Sequence, residues 1–432
     1  MACKQSTCFE PAHLITCLQA LPLRGRLWVA LSGGLDSTVL LHALVHNRTA
    51  LAPVTLAAVH VHHGLQTQAD QWAEHCADRC AELGVDYRLC PVEARARPGE
   101  SPEAAARQAR YSALAEVTGP GDVLVTGQHQ DDLAETLLLQ LLRGSGPAGL
   151  AGMAPLAPLG RGWLARPLLG CSRAALAAWA QQQGLTWLDD PSNADRRLDR
   201  NFLRHEVLPV LQRRWPSVRT QLARASQHQA EAAGLLRRYG RASLERVAGA
   251  VPGTLSMAAL QRLSEAQQRN TIRTWLSEKG LSLPSAMRLQ TVLKEVLGAA
   301  WDRQPRVTWE GGEIRRFQGE LYAMAPLSAH DPERRLTWDL RAPLWVEPPG
   351  IWLQPAALRA HLKQLPARPQ PQSVTVGYRQ GGERCRPAGQ ARQRALKTLL
   401  QEAGIPPWQR DRIPLVFVGA RLVWVVGYGF CD

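Results

Sequence analysis

Between about Arg24 and Gly170, short apolar runs alternate with longer stretches whose apolar residues recur at helical spacing. That alternation is the pattern of a parallel sheet covered by helices. Leu27 to Leu31 reads as a buried strand and Val54 to Val61 as a second, with a weaker third at Val85 to Leu89 and a fourth at Asp122 to Thr126. Ser37 to Val45, Gln68 to Leu83 and Pro102 to Val117 have the Ala and Glu content and the apolar spacing of helices. The expected fold is α/β, with a doubly wound parallel sheet in an N-terminal domain over residues 1–215.

Further along, the composition shifts. From Leu168 to about Gly298, Ala, Leu, Gln and Arg dominate and β-branched runs are scarce, so residues 216–364 are expected to form a mainly helical middle domain. Arg224 to Tyr239 is its clearest helix. Arg306 to Ile314 looks like a hairpin, turned by Gly311 and Gly312. Pro and Gln crowd Leu365 to Gln372, as in a semi-rigid linker. A small α+β domain is expected over 373–432, with strands at Val374 to Tyr378 and Leu415 to Val426 and a helix at Ala391 to Ala403 between them.

The 432 residues exceed what one hydrophobic core usually serves, which supports this division. Against 37 acidic residues stand 51 Lys and Arg, a net charge of +14 that favours a polyanionic partner, nucleic acid first. The nine cysteines are scattered and contain no C-x-x-C pair, so a disulfide framework is not expected. No run approaches the roughly 18 apolar residues that would span a bilayer, and the first residues lack a signal-peptide pattern. The reading is a cytoplasmic protein with no membrane association, and both a monomer and a homodimer are compatible with it.

The strongest local chemistry is Ser32-Gly33-Gly34-Leu35-Asp36-Ser37, placed directly after a buried strand and opening a helix. Two glycines let the backbone N–H groups converge, and the Ser32 and Ser37 hydroxyls add donors beside the partly positive helix start. Such a loop suits phosphate. It lacks a Walker lysine and is not the dinucleotide fingerprint. Asp36, an acid among phosphate-binding groups, makes sense with Mg²⁺ between it and the phosphates. The plain alternative is a Ser-Gly turn with Asp36 as an ordinary residue of the first helical turn.

A second block, Gly127-Gln128-His129-Gln130-Asp131-Asp132-Leu133-Ala134-Glu135, follows the fourth strand. On the helix it opens, Asp132 and Glu135 share a face, a pair able to grip an ammonium group, coordinate a metal or accept a proton. Helix-start electrostatics is the competing explanation. Arg200 and Arg204, four apart on one helical face, suit phosphate or carboxylate recognition, or form a solvated basic face. His60, His62, His63, His75, Cys76 and Cys80 concentrate locally, but their spacing disfavours zinc; contacts from His60 and His129 to a nucleoside at the carboxyl ends of the strands fit better. Trp179, Trp187 and Trp408 are read as packing residues ahead of base-stacking ones.

The Ser-Gly-Gly-Leu-Asp-Ser loop resembles the signature of the N-type ATP pyrophosphatases. Gly-x-His-x-Asp-Asp-x-x-Glu-Thr at 127–136, with Arg143-Gly144-Ser145-Gly146-Pro147-Ala148-Gly149-Leu150 after it, is similar to the tRNA(Ile)-lysidine synthetase family within that group. Asp190-Pro191-Ser192-Asn193, then Arg200-Asn201-Phe202-Leu203-Arg204, matches that family's paired block, and Tyr378 to Arg384 with Ile405 to Leu415 resembles the end domain of its long bacterial form. The resemblance runs from about Gly25 to the C-terminus, with the middle, about 220 to 365, matched only by composition and position. Gln128 departs from it, standing where His is more frequent, as does Gln66 where a basic residue is common.

The resemblance implies that ATP and L-lysine convert the wobble cytidine of tRNA(Ile) with a CAU anticodon to lysidine. It implies ATP contacts from Ser32, Gly33, Gly34, Leu35, Asp36, Ser37, His60, Gly127 and His129, with Asp36 on Mg²⁺. Asp36, Asp132 and Glu135 become the catalytic candidates, Asp132 and Glu135 gripping lysine. Arg110, Arg143, Arg200 and Arg204 are candidates for phosphate or tRNA contacts. The alternatives are another ATP pyrophosphatase, such as a small-molecule amide-forming synthetase, and a non-catalytic RNA-binding protein. A cysteine-dependent thiolase is disfavoured because no paired cysteines lie near the nucleotide loop.

Overall fold

A computed structural model describes residues 8–64, 68–93, 102–299, 303–364, 371–387, 390 and 392–432. Gln66 and most of the Pro/Gln segment, 365–370, lie outside the described residues. The described residues divide into two units, 1–238 and 239–432.

In the first unit the elements run α1 (Pro11–Gln19), β1 (Leu27–Ala30), α2 (Leu35–His46), β2 (Leu56–His62), α3 (Ala69–Glu82), β3 (Asp86–Pro91), α4 (Pro102–Val117), β4 (Val123–Val125), α5 (Gln130–Leu142), α6 (Pro147–Leu150), β5 (Leu156–Leu159), β6 (Gly162–Ala165) and α7 (Arg173–Gln182). The short α8 (Asp199–Phe202) passes through a π-turn at Leu203–Val207 into α9 (Leu208–Arg214), and α10 (Val218–Arg246) follows. The sheet order is β3-β2-β1-β4-β6-β5, parallel except for β5.

Strand alternation sends the sheet's side chains into two cores. Leu27, Val29, Val123 and Val125 face Val39, Leu40 and Leu44 of α2 and Leu176 of α7, while Trp28, Leu124 and Leu164 face Leu114 and Val117 of α4. Because both faces are covered, the strands read as continuous apolar runs. Strand order reverses between β1 and β4, and that crevice at the carboxyl ends is where such sheets take ligands.

At the opposite end of the strands, Asp122 ties β1 to β4. Its carboxylate accepts the Arg26 backbone N–H (2.7 Å), the Gly119 N–H (3.0 Å) and the Trp28 indole N–H (3.2 Å). Gly25 makes room for this, since a Cβ there would lie 2.3 Å from Asp122 Oδ1.

In the second unit β7 (Leu255–Ser256), α11 (Met257–Gln261), α12 (Glu265–Glu278) and α13 (Ala286–Thr291) precede β8 (Arg306–Trp309), β9 (Gly312–Phe317) and β10 (Glu320–Met324), in a sheet of order β7-β10-β9-β8. Then come β11 (Leu336–Trp338), β12 (Leu344–Val346), β13 (Ile351–Leu353), α14 (Pro355–Gln364), β14 (Val374–Gly377), β15 (Arg384–Cys385), β16 (Arg394–Ala395), α15 (Leu396–Glu402), α16 (Pro407–Arg410), β17 (Leu415–Val418), β18 (Arg421–Val425) and β19 (Gly429–Phe430). Ile272, Trp275, Leu289 and Ile314 centre one core of this unit, and Trp338, Val346, Leu358, Val376 and Val416 another.

Several elements differ from the sequence reading. The unit boundary falls inside α10, not at 215, because that helix continues past the first turns that pack on the N-terminal unit. Residues 303–364 carry strands as well as α14, and β11 pairs antiparallel with β14, so the last sheet recruits a strand from ahead of the Pro/Gln segment. Leu415 to Val426 is not one strand but the hairpin β17-β18, turning at Gly419, which has a positive φ. In the β8-β9 hairpin only Gly311 takes a positive φ. Gly312 is needed for space instead, because a Cβ there would meet the Trp309 ring at 2.4 Å. The cysteine expectation also needs correction: Cys385 and Cys431 form a disulfide across 46 positions, a pairing that scattered spacing does not reveal. Among the described residues no helix is long and apolar enough to cross a membrane.

Asp122 yields a pH prediction. Burial alone would raise its carboxyl pKa, but the hydrogen bonds from Arg26, Gly119 and Trp28 outweigh burial and hold it below the ordinary carboxylate value. A depressed folded-state pKa stabilises the fold above the unfolded value of about 3.9, and the benefit is lost as pH falls through the folded value. Asp122→Ala is expected to cost about 2–3 kcal/mol in urea unfolding at neutral pH, and less as the pH is taken down through the acid limb.

Candidate active site

The loop from β1 to α2 is built on hydroxyls. Ser37 Oγ accepts the Ser32 backbone N–H (3.1 Å), lies 3.0 Å from Ser32 Oγ and donates to the Gly34 carbonyl (3.1 Å). Gly33 turns the chain at φ +82°, and a Cβ there would come within 3.3 Å of Cys76 and Leu188. Leu35 sits differently from its loop neighbours: its side chain is buried in the core beneath, so only its backbone is available to a ligand.

The turn after β4 lies against this loop. An added Cβ on Gly127 would stand 2.9 Å from Asp36 C and Ser37 N, so glycine alone permits the approach. His129 caps α5: its Nδ1 accepts the Asp132 backbone N–H, while Asp132 Oδ2 accepts the His129 backbone N–H (3.0 Å). Its Nε2 then faces Asp36 Oδ2 and Asp132 Oδ2, each at 3.5 Å. Burial alone would lower the imidazole pKa, but the Asp36 hydrogen bond and the charges of Asp132, Asp36 and Asp131 outweigh it and leave the pKa raised.

Glu135, one turn further on, is fully buried. Arg204 bonds it through Nε (2.7 Å) and Nη2 (2.9 Å), Arg200 bonds it through Nε (2.7 Å), and Arg200 Nη2 reaches Asp132 Oδ1 (2.8 Å). Bidentate contact of this kind is the strongest form of the ion pair. Arg200 and Arg204 thus face the carboxylates of α5, not open solvent as a bare basic face would. Asn201 between them donates to the carbonyls of Ser192 (2.8 Å) and Asp195 (3.0 Å), which pins the 190–195 loop beside the site. Asp131 points the other way, to the Arg173 N–H (2.8 Å) and Arg219 Nη1 (2.6 Å).

These elements surround a cavity of about 470 Å³ lined by Ser32, Asp36, Ser37, His60, His63, Arg110, Tyr111, Gln128 and Asp132, with Asp190 and Ser192 at its side. His60 donates from Nδ1 to the Leu31 carbonyl (2.8 Å), and burial holds its pKa low, so the neutral ring presents an unprotonated Nε2. His63 is pushed down to about 4, by burial first and then by Arg110, whose Nε–H donates to His63 Nε2 (3.2 Å). Asp36 Oδ1 is buried without a hydrogen-bond partner. Such an oxygen is costly unless a ligand or cation completes it, and the donor set of one carboxylate beside a phosphate loop fits Mg²⁺, which usually takes one or two carboxylates plus phosphate oxygens.

Asp132 therefore reaches the cavity, while Glu135 lies behind it, bonded by Arg200 and Arg204. Arg143 is exposed at the end of α5 and is not among the cavity-lining residues. Tyr111, Gln128 and Arg166 form a network that spacing did not single out: Gln128 Oε1 accepts from Thr126 (3.1 Å) and Arg166, and both Gln128 and Arg166 bond the Tyr111 phenol. Arg219 was also missed, since it lies 88 positions from Asp131 and no local pattern links them. Trp179 packs edge-on against Phe9, and Trp408 packs among Phe317, Tyr322 and the Arg315 guanidinium. Cys76 and Cys80 are core thiols, pushed up to about 12 and about 11 by burial.

A parallel sheet whose strand-order switch carries a hydroxyl-rich loop with an unsatisfied aspartate defines the PP-loop class, and a PP-loop domain model matches residues 13–211. Two further models match: a TilS substrate binding domain at 255–322 and a TilS substrate C-terminal domain at 374–432. The chain is 45% identical over 400 residues to the tRNA(Ile)-lysidine synthase of Methylococcus capsulatus, which covers 92% of this chain and 90% of that one. It is 47% identical over 404 residues to that of Alkalilimnicola ehrlichii (93% and 89%) and 38% identical over 424 residues to that of Coxiella burnetii (98% and 93%). The chain belongs to the tRNA(Ile)-lysidine synthase family.

Two substitutions probe this geometry. Gly127→Ala is expected to leave the protein folded but displace the Asp36–Ser37 backbone, lowering ATP affinity by about tenfold in calorimetry, since a Cβ must displace main chain there. Glu135→Gln leaves two guanidinium groups without their buried counter-charge and is expected to cost about 3 kcal/mol in denaturant unfolding. Reverting the charge imbalance with Arg204→Gln in the same chain should recover part of that loss.

Proposed function

We propose that this protein joins L-lysine to the wobble cytidine of a CAU-anticodon tRNA(Ile), consuming ATP and releasing pyrophosphate and then AMP. What supports the reading most directly is the partnerless Asp36 oxygen in a phosphate loop, one side chain away from the Asp132 carboxylate, in a chain matched by family models along most of its length.

The cytosine 2-carbonyl oxygen is a poor leaving group until it is adenylated. In the first half the carbonyl oxygen attacks the α-phosphorus of ATP and pyrophosphate departs. The Ser32, Gly33, Gly34, Leu35 and Ser37 loop holds the departing phosphates through backbone N–H groups and hydroxyls, a preorganised set of donors that needs no rearrangement as charge moves onto the leaving oxygens. Asp36 Oδ1 would hold Mg²⁺, which would neutralise charge on the phosphate oxygens. His60 Nε2 and the Gly127 and His129 turn meet the nucleoside.

In the second half the deprotonated lysine ε-amine attacks C2, the C–O bond breaks and AMP leaves with the electron pair. The surplus proton on nitrogen passes to a carboxylate or to solvent. Asp132 on the cavity wall grips a lysine ammonium. Glu135 contributes by fixing Arg200 and Arg204, which hold the Asp132 carboxylate in place and present positive charge to a carboxylate or phosphate. Arg110 within the cavity and Arg143 at the rim of α5 complete the phosphate and RNA contacts. The net positive charge of the chain supplies the sequence-independent part of tRNA binding, and tRNA affinity should fall steeply with salt.

The test is incorporation of labelled lysine into a CAU-anticodon tRNA(Ile) transcript. Wild type should incorporate lysine only with ATP, and pyrophosphate should appear only when the tRNA is present. Asp36→Ala should lose at least about a hundredfold in pyrophosphate release. Asp132→Asn should raise the lysine KM by about tenfold while the ATP KM stays put, because a charge-assisted hydrogen bond to the ammonium is lost. Pyrophosphate release independent of tRNA would support a small-molecule synthetase instead.

A further inference from the structure

The tryptophans that the sequence points to are all packed, whereas Trp345 and Trp352, like Trp215, are exposed. Trp345 on β12 and Trp352 on β13 lie directly opposite each other in the antiparallel register, with ring centroids 5.3 Å apart and planes tilted by 54°. They are 45% and 60% exposed. Their strand neighbours point inward: Val346 and Leu353 are buried in the core with Trp338, Leu358 and Val376. The period-2 alternation therefore plants two large indoles on the outer face while the hairpin's own anchoring is apolar and complete. Gly350, at the turn with a positive φ, lies beneath Trp345, where an added Cβ would stand 3.5 Å from the ring, so that ring is braced from below.

Arg334, Arg335 and Arg341 precede the hairpin in sequence, with Asp339 among them and Glu347 in the hairpin turn. Arg334 Nη1 donates to the Glu347 carbonyl in the hairpin turn (3.0 Å), and Arg335 donates to the carbonyls of Pro332 and Arg334 (3.1 Å each), so both bond backbone oxygens and keep their charge for a phosphate. Arg341 is 88% exposed in its side chain, with Asp339 at 4.0 Å. Rigid aromatic faces beside guanidinium groups, on a chain of net charge +14, are complementary to the π-faces and phosphates of single-stranded RNA.

We propose that the Trp345–Trp352 hairpin is a stacking platform for an unpaired nucleobase of the RNA substrate, with Arg334, Arg335 and Arg341 on the flanking phosphates. The inference rests on the tRNA reading above and adds a contact remote in sequence from the catalytic motifs. Stacking contributes affinity without releasing counterions, whereas each arginine–phosphate contact contributes to the salt dependence. The two kinds of contact are thereby separable.

The experiment uses the full chain and the CAU-anticodon tRNA(Ile) transcript, titrated at several salt concentrations. Trp345→Ala/Trp352→Ala should weaken binding by about tenfold at every salt concentration, leaving the slope of log K against log salt unchanged. Trp345→Phe/Trp352→Phe should restore most of the affinity, and the thermal unfolding midpoint of both variants should match wild type. Arg334→Ala/Arg335→Ala should instead make the slope shallower by up to about two contacts' worth. In turnover the Trp double variant should show a raised tRNA KM, with kcat and the lysine KM unchanged. The platform is overturned if the folded alanine double variant binds tRNA like wild type. It is equally overturned if the substitution leaves tRNA affinity intact and converts a wild-type dimer to monomer, which would make the pair a contact between copies. A wild-type chain that binds no tRNA would overturn the functional reading first and this platform with it, an outcome visible before any variant is made.

Discussion

One charged chain organises the catalytic unit: Asp36, His129, Asp132, Arg200, Arg204 and Glu135 run from the phosphate loop to the interior of α5 in side-chain contacts of 2.7–3.5 Å. Each member is costly to bury alone. Glu135, with no exposed surface, is tolerable only because two guanidinium groups meet it, and those groups are placed by a short helix and π-turn about 65 positions later in the chain. The ion pairs thus do more than hold α5. They make the 190–204 segment close over the carboxyl end of the sheet, which forms the cavity's side.

The same arrangement separates two roles that are chemically similar. Asp36 and Asp132 share the His129 imidazole, yet Asp36 keeps one oxygen without a partner, and Asp132 is tied by the α5 cap on one oxygen and by arginine on the other. An unsatisfied oxygen next to a phosphate loop is suited to a cation. A carboxylate held between a cap and guanidinium groups is suited to exchange one positive partner for another, an arginine for an arriving ammonium.

Much of this was legible in the sequence because the relevant signals are local. The β1 to α2 loop, the Asp132 and Glu135 spacing and the four-residue separation of Arg200 from Arg204 depend on short-range geometry that a periodic chain states directly. The strand-helix alternation gave the α/β sheet for the same reason. What the sequence did not show depends on long-range pairing: the commitment of Arg200 and Arg204 to Glu135, the Arg219 contact to Asp131, the Gln128 and Arg166 bonds to Tyr111, the β11 strand joined to β14, and the Cys385–Cys431 bond. The middle of the chain was matched only by composition and position, because its elements are short and its strands are set by tertiary pairing; a family model nevertheless covers 255–322. The tryptophans show the same divide. Trp179 and Trp408 stand in otherwise unremarkable surroundings and are packed, while Trp345 and Trp352 acquire meaning only once the hairpin register sets them side by side.

The unpartnered Asp36 oxygen would hold a divalent cation beside the phosphates of ATP. A crystal grown with a non-hydrolysable ATP analogue and Mn²⁺ tests this through the anomalous signal of the metal. The expected peak lies at coordination distance from Asp36 Oδ1, with triphosphate oxygens on its other side and the phosphates against Ser32, Gly34 and Ser37. A well-ordered nucleotide whose Mn²⁺ peak lies away from Asp36, or whose phosphates lie outside the β1 to α2 loop, would contradict it.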